Sequence, residues 1–153
     1  MVGMSYDHGI VLCKQYKGTI TGDKFVDIIE NSFPQAFEDS IDPKGKRLLM
    51  DGCPRQNCKK AKQAISDVGG QIFSIPPRSP DLNPIENLFN LIVKKLKEEA
   101  IAKQITHETF DEFSSRVEKT MKEFPVQTIN NIIDSMESRV DMVLKGKGNR
   151  IRY

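Results

Sequence analysis

Cysteine is scarce and odd in number, with Cys13, Cys53 and Cys58 the only three in 153 residues. They do not fall into the spacing of a disulfide framework, which excludes a cross-linked secreted scaffold and leaves reduced thiols as the expectation. Long apolar runs are missing too. No stretch reaches the length of a signal-peptide core or a membrane span, so the chain reads as intracellular and soluble. Charge of one sign is likewise missing: the formal net charge is +2 with 29% charged residues. So small an excess gives no global field for nucleic acid, and any such contact must come from local placement. Linkers rich in Gly or Ser, internal repeats and low-complexity tracts are all lacking, so nothing divides the chain. With 38% hydrophobic residues, the length suits one domain with its own core.

What is present is an alternation of short extended runs and helical stripes. The opening "MVGMSYDHGIVLCKQYKG" predicts a hairpin in which "YDHG" turns between Val2/Met4 and Ile10/Leu12. In "GDKFVDIIENSFPQAF", Phe25, Ile28, Ile29 and Phe33 recur at helical spacing, with Pro34 expected to end or bend the helix near its close. Arg47 to Met50 is a brief strand that stops at Asp51, before Gly52 and Pro54. From Asn57 a helix carries Ala61, Ala64, Ile65 and Val68 on one face until Gly69 and Gly70 stop it, and "QIFSI" is the next strand. A third helix has Ile85, Leu88, Phe89, Ile92, Val93 and Leu96 in its stripe. Two more helices follow, one with Phe110, Phe113, Val117 and Met121 facing a core. The other starts at Pro125 and carries Val126, Ile129, Ile132, Ile133, Met136, Val140 and Val143. Gly146 ends it, and Lys145, Lys147, Arg150 and Arg152 form a basic tail. Strands alternating with helices predict an α/β layer whose later strands are parallel and whose functional groups gather at strand carboxyl ends.

Two carboxylates stand out by position. Asp51 ends a strand, and Glu86 opens a helix after the next strand, with 34 residues between them. They converge on one sheet edge if the intervening helix crosses back. Each also has a local reading: Asp51 as a turn aspartate, and Glu86 as the acidic partner of Asn83 in a capping box, with Pro84 in the first helical position. At 100° per residue Glu86 falls near Val93, at the margin of the apolar stripe, where a carboxylate faces a cleft without being entombed. Arg78 and the run Lys59, Lys60 and Lys62 are candidate phosphate contacts, as are Lys147 and Arg150 in the tail; a solvated helix face is the alternative for the lysines. Asp7 reads as a turn residue, and Asp81 as a fastener hydrogen-bonded to amides of its own loop. Cys53 and Cys58 are not followed by a second pair, and His8 and His107 lie far apart in sequence, so no zinc site is expected.

The segments "LLMDGCPRQNCKKAKQAI" and "IPPRSPDLNPIENLFNLIVKKL" resemble the catalytic domain of mariner-type transposases of the DDE superfamily. That family pattern places an Asp, then an interval like the one here, then a Glu within Ser-Pro-Asp-Leu-Asn-Pro-Ile-Glu, all eight of which stand at Ser79 to Glu86. The opening "VGMSYDHGIVLCKQYKGTITGDKFVDII" and the closing "IIDSMESRVDMVLKGKGNRIRY" are similar to the family as well. The resemblance implies an α/β, RNase H-like mixed sheet flanked by helices, with residues 1–103 a partial catalytic domain and 104–153 its carboxyl-terminal helices and basic tail. It implies metal-dependent cleavage and transfer of DNA strands in the nucleus, with Mg²⁺ or Mn²⁺ held by Asp51 and Glu86 as the second and third acids of a triad. Two hard cations clamped on attacking and leaving oxygens need anionic oxygen ligands, which is what carboxylates provide. In the family the first acid belongs to a central strand upstream of the hairpin, and this chain opens where the second strand is expected. The expectations are therefore impaired catalysis by the chain alone, and self-association or a partner supplying the missing strand. The alternative is a non-catalytic remnant or domesticated module that binds DNA or a protein.

Overall fold

The computed structural model describes residues 1–51, 53–54, 56–149 and 151. Its first two strands, β1 (Val2–Ser5) and β2 (Gly9–Cys13), pair antiparallel with a register shift between Gly3 and Met4. The turn between them places Asp7 and Gly9 at positive φ, 59° and 73°. Aspartate tolerates that region and glycine adopts it freely. A Cβ at position 9 would also come within 3.1 Å of Val126 Cγ2, so glycine lets the turn lie against a later helix.

The hairpin is apolar on both faces because it separates two cores. Leu12 joins one cluster while Val2, Met4, Ile10 and Cys13 pack on the other; the register shift breaks the alternation of β2 at Val11, so Ile10 and Leu12 serve different cores. The first cluster is built by α1 (Gly22–Glu38), β3 (Arg47–Met50) and α2 (Lys59–Asp67). In α1, Phe25, Phe33 and Phe37 stack edge to face, with centroid distances of 6.3 and 6.0 Å between successive rings. This helix runs through Pro34 to Glu38 and does not stop there. Pro34 is exposed, so the carbonyl that loses its donor is on the water side, and burial of Phe33 and Phe37 holds the turns either side of it.

β3 pairs in parallel with β4 (Gln71–Ser74), Arg47 opposite Gln71 and Met50 opposite Ser74, as the alternation of elements predicts. The crossover between them is α2, whose Ala61, Ala64 and Ile65 are buried against α1. Gly70 closes that crossover tightly; a Cβ there would lie 2.7 Å from Ile65 Cγ2 and 3.0 Å from Ile65 O. The second core joins α3 (Pro84–Ala102), α4 (Phe110–Lys122) and α5 (Val126–Lys145) through Leu88, Ile92, Leu96, Met121, Phe124, Ile129 and Ile132. A 3-10 turn, Pro80–Leu82, lies in the proline-rich loop before α3 and has no periodic signature in the sequence.

Among the described residues the architecture is thus α/β with five α-helices, and the strands form two separate two-stranded sheets in place of one mixed sheet. Each strand is paired along one edge, and β1 and β3 both border the cleft between the sheets. Among the described residues no helix is long and apolar enough to cross a membrane.

Several expected core positions are overturned, Val93 on α3 and Val126 and Val140 on α5 among them. Phe110 and Phe113 on α4 are 52% and 43% exposed. Each instead has a cation over its ring, Lys17 Nζ at 4.9 Å from Phe110 and Arg116 Cζ at 5.6 Å from Phe113, so the rings keep a partner without entering the core. Met121, at the far end of the same stripe, is buried as expected.

Candidate functional site

Asp51 leaves β3 at its carboxyl end. Its Oδ1 accepts the Cys53 amide at 3.2 Å, the two-residue side-chain turn that aspartate favours, and Asn57 Nδ2 donates to Asp51 O at 2.9 Å and to Cys53 O at 3.2 Å. The loop after the strand is therefore tied from both sides, and Asp51 is half-buried.

Glu86 stands in the first turn of α3 and is exposed. Pro84 occupies the start of the helix, as its fixed φ and missing N–H suit. The capping box predicted with Asn83 is not formed: the Asn83 side chain caps nothing, and Glu86 N donates instead to the Asn83 carbonyl at 3.1 Å. Asn83 is buried, with backbone angles of −109° and 97° at the helix entrance. The carboxylate of Glu86 is thereby released from a capping role, in a first turn whose dipole favours negative charge.

Two adjoining cavities meet at these residues. One, of about 340 Å³, is lined largely by apolar side chains of β1, β3, α1 and α3, among them Val2, Leu49, Ile85 and Phe89. The other, of about 330 Å³, runs under the proline-rich loop past Ile75, Pro77, Arg78 and Ser79. Asp51, Asn83 and Glu86 line both. Cys53 lines the second, whereas Cys58 packs on the first core.

The basic candidates divide. Arg78, exposed and at φ 59°, borders the cavity that holds Asp51 and Glu86. Lys59 and Lys60 line a different groove between α1 and α2, shared with Asp23, Glu30 and Asp67, and Lys60 pairs with Asp23 at 3.1 Å. Lys62 is exposed on α2, and Lys147 is exposed just beyond α5. Arg150 lies outside the described residues, as does Arg152. Asp7 is turned to α5, where its amide donates to Asn130 Oδ1 at 2.9 Å and its Oδ1 accepts Asn130 Nδ2 at 2.7 Å. Asp81 does not fasten its own loop: its Oδ2 accepts the amide of Ile151, 70 residues away, at 3.1 Å. The reason is that the chain after α5 returns to the proline-rich loop.

The sequence reading missed Asn57 and Arg139. Asn57 had only its place in a loop to mark it. Arg139 had a clearer signal, a lone charge on the stripe that carries Ile132 and Met136, and a charge on an apolar stripe asks for buried partners. Arg139 is 1% exposed. Away from the cleft, burial pushes the Cys13 thiol above its ordinary range, as suits a packed, unreactive cysteine.

Comparison with known proteins follows the same lines. A DDE superfamily endonuclease profile matches residues 1–111. The chain is 33% identical over 78 residues to the transposable element Tc3 transposase of Caenorhabditis elegans, covering 51% of this chain and 22% of that protein. It is 26% identical over 135 residues to the Tcb2 transposase of Caenorhabditis briggsae, covering 86% of this chain and 46% of that protein, and 32% identical over 78 residues to the Tc1 transposase of C. elegans. It therefore spans less than half the length of these relatives. With the profile covering most of the chain and the acid-bearing strand end and helix mouth inside the match, the chain belongs to the DDE superfamily endonucleases, as a domain of the transposase kind.

Proposed function

We propose that this chain supplies Asp51 and Glu86 as carboxylate ligands of a divalent cation, Mg²⁺ or Mn²⁺, in a site that cleaves and transfers DNA strands, with transposon ends and target DNA as substrates. One observation supports this reading: Asp51 at a strand end and Glu86 at a helix mouth, with 34 residues between them, line the same two cavities. The donor set suits such an ion, because Mg²⁺ is commonly held by one or two carboxylates and completes its shell with water and substrate phosphate oxygens. When bound, the cation polarises a phosphoryl oxygen and eases deprotonation of water. The protein's own part is to fix the two carboxylates. The Cys53 amide and Asn57 hold the Asp51 loop, and Pro84 starts the helix that carries Glu86.

Arg78, on the cavity wall, is the basic residue best placed to take a DNA phosphate. Lys62 and Lys147, with Arg150, extend the contact, while Lys59 and Lys60 contribute less because acidic side chains share their groove. The family pattern calls for one more acid, the first of the triad, on a central strand that precedes the hairpin in sequence. Such a strand would lie in the apolar cleft bordered by β1 and β3. A non-catalytic module that binds DNA or a protein is the competing reading, and it draws on the two-carboxylate donor set, since a two-cation site uses more ligands.

The test is a Mn²⁺ titration followed by electron paramagnetic resonance. Asp51→Ala and Glu86→Ala should each weaken binding, and the double variant should abolish it. Equal affinity in the unaltered chain and the double variant would sink the proposal. Metal-dependent cutting of DNA by the chain, lost in either single variant, would remove the non-catalytic reading.

A further inference from the structure

Glu86 sits on a helix whose entrance has no side-chain cap, so its position must be fixed by something else. Arg139, near the middle of α5, is buried with 1% exposure. Its Nη1 donates to Asn87 Oδ1 at 2.7 Å and to Asp81 O at 3.2 Å, and its Nε donates to Ser135 Oγ at 3.0 Å. Asn87 is the neighbour of Glu86 in the first turn of α3, and Asp81 belongs to the 3-10 turn just before it. One guanidinium therefore grips both sides of the corner at which Glu86 emerges. Asp81 Oδ2 also accepts the Ile151 amide, so the segment after α5 closes over the same corner.

We infer that Arg139 is a positioning residue: it locks the 3-10 turn and the first turn of α3 together and thereby sets where the Glu86 carboxylate points in the cleft. A planar fork with several fixed donors serves this purpose, and a lysine ammonium, a single point of charge, does not. The role deepens the cation-site reading and rests on it for its functional meaning. Groups that orient a metal ligand typically change cation affinity by 10- to 100-fold when removed.

The experiment compares the full chain with Arg139→Lys, Asn87→Ala and, as a matched packing control on α5, Ile129→Val. Mn²⁺ affinity and amide hydrogen exchange across residues 79–89 are both measured well below the unfolding temperature. Arg139→Lys is expected to speed exchange in that segment and to weaken Mn²⁺ binding about tenfold. Asn87→Ala should do the same and add little when combined with Arg139→Lys, while Ile129→Val leaves both readouts unchanged. If Arg139→Lys does not fold, Asn87→Ala carries the test alone. Exchange and affinity both as in the unaltered chain would overturn the inference, and so would faster exchange with unaltered affinity, which is a purely structural role. Absence of Mn²⁺ binding by the unaltered chain would overturn the cation site; exchange in Arg139→Lys would then still decide the anchoring, so the two readings fail separately.

Discussion

At the scale of single residues, the same side-chain types do different work according to what surrounds them. Glu86 and Glu112 both occupy the first turn of a helix, yet Glu112 reaches back to the Thr109 amide at 2.8 Å and Glu86 reaches no cap. Arginine gives a second example. Among the described residues Arg139 donates to oxygens of Asp81, Asn87 and Ser135, and Arg116 grips Glu108 with two bonds of 2.7 Å and also donates to Leu96 O. The Arg116 guanidinium holds the Glu108 carboxyl below its ordinary range. Because the folded value is lowered, the unfolded chain binds more protons in that window, and stability rises with pH across it. The contribution is fully present above the ordinary glutamate range and disappears as pH falls through the lowered value. Glu108→Gln should therefore be less stable than the unaltered chain at neutral pH, and the gap should close in acid, as measured by urea unfolding at a series of pH values. A gap that persists unchanged at low pH would contradict the assignment.

At the scale of elements, local signals and tertiary packing agree in most helices and part company in a few. The box Thr109–Glu112 is complete in both directions, with Thr109 Oγ1 accepting Glu112 N at 3.3 Å. It starts a helix that buries little of its first two turns, so the cap carries much of that start. Thr109→Ala should cost about 1 kcal/mol of stability and raise amide exchange in the first turn of α4; no change in either would show that packing from Lys17 and Arg116 suffices. The pattern of Phe110 and Phe113 read as core, because periodicity reports which residues share a face and not what that face meets. In α1, Pro34 reads as ending or bending the helix near its close; the helix runs on to Glu38, with Phe33 and Phe37 anchored in the core on either side of the proline in sequence.

For the molecule as a whole, the feature of most consequence is the cleft between two sheets that share no ladder. Its walls carry apolar side chains, and Leu49 of β3 and Phe73 of β4, opposite each other in register, are 46% and 54% exposed. Strand edges with an apolar face invite pairing with another chain. Light scattering of the chain at high concentration should therefore give a mass above that of one copy, and Leu49→Lys, which places a charge at the edge, should shift it toward the monomer. A monodisperse monomer for the unaltered chain would count against strand exchange through this cleft.

The order of elements, the parallel pairing of β3 with β4, and the family were all legible in the sequence, because each rests on short-range facts: side-chain periodicity, turn residues and an eight-residue motif. The convergence of Asp51 and Glu86 could be argued from the crossover but needed the folded chain to place both in one cavity lining. Three things were decided by tertiary structure alone: the missing cap at Asn83, the separation of the sheets, and the Arg139 anchor. The last two depend on groups brought together, or kept apart, across long stretches of chain, 52 residues in the case of Arg139 and Asn87. Local propensity has no term for such contacts, whereas burial of a charge or an edge makes them compulsory.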